Sequence, residues 1–424
     1  MSQREIQVHE RPPIGKGAIL SIQHLFAMFG STVLVPNLFG IDPGIVLLMN
    51  GIGTLLYLFL CKMQIPAYLG SSFAFISPIG VVLALKGGNG YSDALGGFII
   101  TGVIFCLVAL LIKVAGTNWL NVLFPPAAMG AIVAVIGLEL VPVAAGMAGL
   151  VGSDANWTPD PKVIMVSLIT LGVTVIGNVM FRGFFKIIPI LIGIIVGYIV
   201  AWYAGLVDWN AVSSASLFSM PHMTAPTWNW TAIITIIPAA LVVIVEHVGH
   251  LMVTSNIVGK DLSKEPGLHR SILGNGISTI ISGFVGSTPN TTYGENIGVM
   301  ALTRVYSTFV IGGAAIFAII MSFFGKFSAL ISSIPVPVMG GVSLMLFGVI
   351  AASGLRILIE QKVDFGKPTN LLLTTIVLVI GISGAKLTIG HVELKGMALA
   401  TIVAIVMSLF FTVIEKLGWS NEKS

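Results

Sequence analysis

Apolar runs recur along almost the whole chain, and short breaks rich in polar residues, Pro and Gly separate them. Cutting at those breaks gives fourteen segments, near 18–38, 44–61, 67–86, 94–114, 124–147, 163–181, 185–206, 231–252, 271–286, 288–303, 305–325, 334–354, 369–387 and 396–415. The pattern predicts an all-α polytopic membrane protein of fourteen transmembrane segments.

Two segments break the pattern. Gly286 to Arg304, in span 10, reads Gly-Ser-Thr-Pro-Asn-Thr-Thr-Tyr-Gly-Glu-Asn-Ile-Gly-Val-Met-Ala-Leu-Thr-Arg and is too polar to face lipid. Irregular backbone at membrane depth survives only where protein buries it or it lines a polar cavity. Pro289 and Asn290 interrupt a helix, the run Thr291 to Tyr293 suits a short extended piece, and Glu295 follows Gly294 near the start of a new helical half. Span 3 is interrupted in the same way by Gly70-Ser71-Ser72-Phe73-Ala74-Phe75-Ile76-Ser77-Pro78. A broken helix beside a binding site is the expectation for both.

Internal repeats then organise the segments. Asn50-Gly51-Ile52-Gly53-Thr54 recurs as Asn275-Gly276-Ile277-Ser278-Thr279, Gln23-His24 as Glu246-His247, and Pro125-Pro126-Ala127-Ala128-Met129-Gly130 as Pro335-Val336-Pro337-Val338-Met339-Gly340. These pairs equate span 1 with 8, 2 with 9 and 5 with 12, so span 3 is the partner of span 10. A repeat of seven spans is odd, and its second copy must enter the membrane from the opposite side. The expected fold is two inverted seven-span repeats, with short extended pieces in the broken spans 3 and 10 and a site between them.

Composition agrees: 56% of residues are hydrophobic and 9% charged, and the mean hydropathy is +1.00. Residues 1 to 17 contain no apolar run of the kind a cleaved signal peptide needs. Cys61 and Cys106 lie inside apolar runs and read as small buried side chains rather than a disulfide. With a cytoplasmic N-terminus, sixteen cations fall inside: Arg4, Arg11, Lys16, Lys62, Lys113, Arg182, Lys186, Lys260, Lys264, Arg270, Arg304, Arg356, Lys362, Lys367, Lys416 and Lys423. Five fall outside: Lys86, Lys162, Lys326, Lys386 and Lys395. That excess supports the count and puts both termini in the cytoplasm. The seven Trp all sit at or beyond segment ends, where an indole meets the headgroups.

Of the acidic residues, only Glu139, Glu246 and Glu295 fall well inside apolar segments. A carboxylate at the centre of a span costs roughly 2.5–3.5 kcal/mol on insertion scales, so such residues point to function. Glu246 and His250 lie four apart on one helical face, while His247 points about 100° away. A histidine beside a carboxylate can be tuned to titrate near neutral pH, as a proton-coupled carrier requires. A structural ion pair is the alternative. Glu246-His247-x-x-His250 does not match the His-Glu-x-x-His of a zinc helix, so no metal is expected. Glu139 reads as a scaffold residue, and His24 as a hydrogen bonder between helices. No glycine-rich run leads into the Lys-Ser/Thr of a nucleotide loop. No enzyme, cofactor or nucleic-acid partner is indicated.

Glu295-Asn296-Ile297-Gly298-Val299-Met300-Ala301-Leu302-Thr303-Arg304 resembles, position for position, the signature of the nucleobase-ascorbate transporter family, carried here by Glu295, Asn296, Gly298, Thr303 and Arg304. The likeness extends over essentially the whole chain. It implies a secondary carrier that brings a nucleobase and a proton across the bacterial cytoplasmic (inner) membrane. In that family Glu at the first signature position goes with uracil, Gln with purines and Pro with ascorbate, so uracil is the expected substrate. The alternatives are a related xanthine or purine proton symporter, and an anion exchanger or channel on the same inverted-repeat plan.

The resemblance also implies a division of the chain. A core domain would take 1–119 (spans 1–4) and 227–330 (spans 8–11); a gate domain would take 120–226 (spans 5–7) and 331–424 (spans 12–14) and often forms a homodimer within the lipid. Glu246 and Glu295 would hold the pyrimidine, the backbone of Phe73 and Gly294 would meet its carbonyls, and His250 would take part in proton coupling with Glu246. Phe347 departs from the pattern, since the family's uracil carriers have Tyr in span 12 and a phenylalanine offers no hydroxyl.

Overall fold

The computed structural model describes residues 5–85, 87–152, 157–389 and 392–420. Arg4, Lys86 and Lys423, three of the cations assigned to sides above, lie outside the described residues. Prolines mark where many of the helices begin, because a missing N–H costs nothing in the first turn. Pro43–Leu60 starts behind Asp42, which accepts the Gly44 N–H at 2.8 Å, and Pro161–Met180 starts behind Asp160, which accepts the Lys162 N–H at 2.8 Å. Gly40, Gly259 and Gly286 close helices in the left-handed conformation that suits glycine.

Eight helices are long and apolar enough to cross a membrane, or up to nine if the bent pair Thr308–Ser322 and Gly325–Ser332, at 89°, counts as one span. They include Ile14–Phe39, Tyr91–Ala115, Trp230–Val258 and Gly396–Lys416. The remaining expected spans hold helices too short or too polar for that test, among them Pro189–Tyr203, Leu268–Val285, Gly294–Thr303 and Pro368–Ile382. A multi-pass membrane protein follows, with eight to nine spans countable by length.

The packing of the first half of the chain repeats in the second. Pro43–Leu60 packs on Thr308–Ser322 as Leu268–Val285 packs on Tyr91–Ala115. Pro126–Met147 packs on Pro368–Ile382 as Val336–Glu360 packs on Pro161–Met180, and Pro161–Met180 packs on Pro189–Tyr203 as Pro368–Ile382 packs on Gly396–Lys416. Two pairs are their own images: Pro43–Leu60 with Leu268–Val285, and Pro126–Met147 with Val336–Glu360. Gly51 and Gly276, equivalent in the repeat, explain the close approach. A Cβ on Gly51 would lie 2.6 Å from the Ala315 carbonyl oxygen, and one on Gly276 would lie 2.9 Å from that of Gly102. Small residues let membrane helices meet backbone to backbone.

Where the two broken spans cross, each supplies a strand. Strand β1 (Leu69–Ser71) pairs antiparallel with β2 (Asn290–Thr292), with Leu69 opposite Thr292, Gly70 opposite Thr291 and Ser71 opposite Asn290. Pairs from the Ser72 N–H to the Pro289 carbonyl at 2.9 Å and from the Tyr293 N–H to the Tyr68 carbonyl at 3.0 Å extend the ladder at both ends. Both strands are fully buried, so every main-chain group needs a partner inside the protein. Thr54 supplies one by accepting the Leu69 N–H at 2.9 Å, and Thr279 accepts the Asn290 N–H at 3.2 Å. A second hairpin, β3 (Lys386–Ile389) with β4 (Val392–Lys395), joins the last two spans and holds Glu393 3.2 Å from Lys386 and 3.9 Å from Lys395.

Candidate functional site

Chain geometry at β1 and β2 turns each broken span from strand into helix. Behind β1 comes a single turn, Phe73–Phe75, leading into Ile76–Leu83; behind β2 comes Gly294–Thr303. Neither helical start is capped by a side chain of its N-cap residue, and both begin directly after the paired strands, where the first-turn N–H groups and the positive dipole ends lie.

Helix Pro238–Val258 lines this centre with Glu246 and His250. Glu246 is buried and accepts from the Thr291 hydroxyl at 3.4 Å. The His250 Nδ1 lies 3.0 Å from the Thr292 hydroxyl, and its Nε2 faces Gly294, where a Cβ would come within 3.3 Å. Glu246 and His250 therefore share a face, as their spacing requires, but each is bonded to a different threonine of β2. Among the described residues no hydrogen bond joins them directly.

Glu295 sits in the first turn of Gly294–Thr303 and accepts a hydrogen bond from the Ser31 hydroxyl, which is buried in helix Phe29–Phe39. Glu246, His250, Glu295 and Gly294 thus belong to one cluster, gathered around β2. Phe73 is buried opposite, and its ring meets Phe347 of helix Val336–Glu360 edge-on at 5.8 Å. Phe347 meets Phe73 through an aromatic contact and offers no hydroxyl.

The signature divides. Asn296 is fully buried and its amide nitrogen lies 3.1 Å from both the Nδ1 and the carbonyl oxygen of His24, which ties the half-helix to span 1. Thr303 donates to the Val299 carbonyl at 2.8 Å, and Arg304 ends the helix at φ 54° with its N–H on the Met300 carbonyl. These last two lie at the far end of the helix from Glu295. There the segment around Ile6 runs alongside: the Ile6 N–H bonds the Arg304 carbonyl, the Tyr306 N–H bonds the Ile6 carbonyl, and the Thr308 N–H bonds the Val8 carbonyl. Arg304 also lies 3.6 Å from Glu5.

The sequence marks Thr291 and Thr292 as extended chain but does not show that they, or Ser31, bond the carboxylates and His250. Hydroxyl residues are common inside spans and usually bond their own helix, so only the register of β2 against helices Phe29–Phe39 and Pro238–Val258 shows which ones face the carboxylates. Asn296 gave more warning, as a buried amide in a signature beside a conspicuous span-1 histidine. Glu139 stands elsewhere. Its carboxylate accepts the Met397 N–H at 2.7 Å in the first turn of Gly396–Lys416, a bond between two helices of the kind expected of a scaffold. It lines a cavity of about 730 Å³ whose walls include Ser77, Gly80, Gly381 and Lys395. Cys61 and Cys106 are free thiols, and among the described residues no cluster of His, Cys, Asp or Glu is arranged to hold a metal ion.

Inverted halves, a paired strand at their crossing and carboxylates buried around it define a multi-pass membrane transporter rather than an enzyme. A family model described as "Permease family" matches residues 15–390, and the chain belongs to that family, the nucleobase-ascorbate transporters that its signature resembles. It is 64% identical to the "Uracil permease" of Paenibacillus larvae over 424 residues, covering 100% of both chains. Against the "Uracil permease" of Escherichia coli (strain K12) it is 65% identical over 98% of this chain and 96% of that one, and against that of Bacillus subtilis (strain 168) 46% identical over 96% of each. Among solved structures, the transmembrane domain of a cyanobacterium bicarbonate transporter, BicA, superposes with a TM-score of 0.62 at 13% identity, over 97% of this chain and 99% of that one. SLC26A9 gives 0.69 at 12% identity, over 95% and 66%. At those identities the likeness is one of fold.

Proposed function

We propose that this protein carries uracil into the cell together with a proton, across the bacterial cytoplasmic membrane, with both termini in the cytoplasm. The observation that carries the reading is that Glu246 and His250 both bond threonines of one buried strand, β2, whose chain runs on directly into Glu295 at an uncapped half-helix start. Uracil is planar and offers two N–H donors and two carbonyl acceptors. A dry site must match each or lose roughly 1–3 kcal/mol per unpaired group. Two carboxylates accept, and the backbone N–H groups at Phe73 and Gly294 donate. The relatives named uracil permease, which this chain matches from end to end, support the same substrate.

His250 would exchange the coupled proton with Glu246, one helical turn away. Spans 1–4 with 8–11 (1–119 and 227–330) form the moving core in this reading, and spans 5–7 with 12–14 (120–226 and 331–424) form the gate, which pairs two copies within the lipid. The test is uptake of labelled uracil into proteoliposomes, competed with a panel of bases. Uracil should compete best and purines poorly; a panel in which xanthine competes better than uracil overturns the substrate.

A further inference from the structure

His247, the residue that faces away from the cluster, is engaged on its other side. It is 1% exposed, and its Nε2 lies 2.7 Å from the Ser271 hydroxyl, which in turn lies 2.6 Å from the Tyr57 hydroxyl. The three come from three helices, Pro238–Val258, Leu268–Val285 and Pro43–Leu60. Tyr57 stands one turn before the end of its helix, on the side where Cys61, Lys62 and Arg270 lie, and the Arg270 guanidinium bonds the Leu60 carbonyl at 3.1 Å. The other His247 ring nitrogen, Nδ1, is buried without a hydrogen-bond partner.

A narrow cleft explains that orphan nitrogen. Its walls include both His247 and His250, together with Thr292, Ser271 and Tyr57, and it is too tight to admit a water here. A buried donor or acceptor without a partner is costly, and one that borders the same cleft as the His250 ring points to an intermittent partner. The titratable and charged groups around His247 are Glu246 and His250 on its own helix, Tyr57 and Cys61 on Pro43–Leu60 and its end, and Arg270 on Leu268–Val285.

We propose that His247, Ser271 and Tyr57 form the relay by which the coupled proton leaves the site for the cytoplasm. The proposal rests on the proton-coupled reading above. A proton from His250 enters at the His247 Nδ1, and the proton on Nε2 passes to the Ser271 oxygen. Ser271 hands its own to Tyr57, and Tyr57, which is fully buried here, releases one to water when the helix end beside it opens, so each group regains its starting charge. No oxidation or new covalent bond is involved. The tight cleft between the two histidines is the break in the chain: it holds the proton at the site until the helices shift.

The experiment compares net uptake with exchange in proteoliposomes for His247→Gln, Ser271→Ala and Tyr57→Phe. Uracil binding and equilibrium exchange need no proton release and should stay within about twofold of the parent. Uracil-linked proton influx, read with an internal pH dye, should fall at least about tenfold, since a positioned proton carrier contributes typically 10²–10⁴-fold. A Tyr57→Phe protein with the parent's proton influx overturns the relay. So does a parallel loss of binding, exchange and influx in all three variants, which marks the trio as packing. A parent protein that shows uracil uptake but no linked proton influx overturns the coupled reading, and the relay with it.

Discussion

Thr54 and Thr279 hold equivalent places in the two repeats, and each grips one residue of its own strand by both main-chain groups. Thr54 meets the N–H and carbonyl of Leu69 at 2.9 and 3.4 Å, and Thr279 meets those of Asn290 at 3.2 and 3.5 Å. The strand pair is only three residues long on each side, so these anchors replace the neighbours that a wider sheet would supply.

Replacing either threonine by valine keeps the shape and removes the hydroxyl. Thr54→Val and Thr279→Val should each cost roughly 1–3 kcal/mol by leaving strand groups unsatisfied. Thermal unfolding in detergent checks this, and the two variants should behave alike because their roles are related by the repeat. An unchanged Tm in both contradicts the anchoring role.

Glu295→Gln separates charge from shape. It keeps one acceptor oxygen but exchanges a charge-assisted bond for a neutral one and brings an NH2 that needs its own acceptor. Uracil affinity should fall by roughly 10- to 150-fold, or about 1.5–3 kcal/mol, in calorimetry on purified protein. Ser31→Ala removes the hydroxyl that donates to Glu295 and should weaken binding in the same direction by a smaller factor. Parent-like affinity in Glu295→Gln means that the carboxylate is structural.

His250→Ala should impair concentrative uptake while leaving more residual binding than Glu246→Ala. The His250 ring touches the Thr292 hydroxyl and faces Gly294, whereas Glu246 offers the carboxylate. Binding and uptake measured on the same preparations decide it. Accumulation with the parent's pH dependence in His250→Ala removes the residue from coupling.

Uptake should follow the proton gradient and collapse with an uncoupler. If one proton enters with neutral uracil, each 100 mV of membrane potential contributes about 2.3 kcal/mol, enough for roughly 50-fold accumulation. Concentrative uptake driven by sodium alone, indifferent to pH, contradicts this.

Much of this architecture is legible in the residues because membranes restrict the choices. The polar interruption at Pro289–Tyr293 predicts an extended piece, and the strand covers Asn290–Thr292, one residue earlier than the run Thr291–Tyr293 suggested. The glycine and threonine of the span-2 and span-9 repeat make equivalent contacts, as their recurrence implies. Helical spacing places Glu246 and His250 on one face, but it cannot show that each bonds a threonine from another span. The strand pair Lys386–Ile389 and Val392–Lys395 leaves little sign in the sequence, since its alternation is too short to stand out between two apolar runs. The bend after Ser322 was hidden because Phe323 and Phe324 keep the run apolar while the axis turns by 89°. Helix Val336–Glu360 outlasts its apolar segment, and in the added turns Arg356 and Glu360, a helical turn apart, bond each other at 2.6 Å.

The strand-like segment at Ile6 and Val8 imposes an order on how the chain is made. Its partners Arg304, Tyr306 and Thr308 arrive about 300 residues later in synthesis, as the 300-residue separation of Thr308 from Val8 records. At the usual ~5–20 residues per second, the ribosome needs roughly 15–60 s to reach them. Throughout that interval the backbone groups of Ile6 and Val8 lack their native partners while the helices between them are made. Closing this seam is therefore a late step of assembly: it joins the segment around Ile6 to the end of the signature helix only after both broken spans have been made.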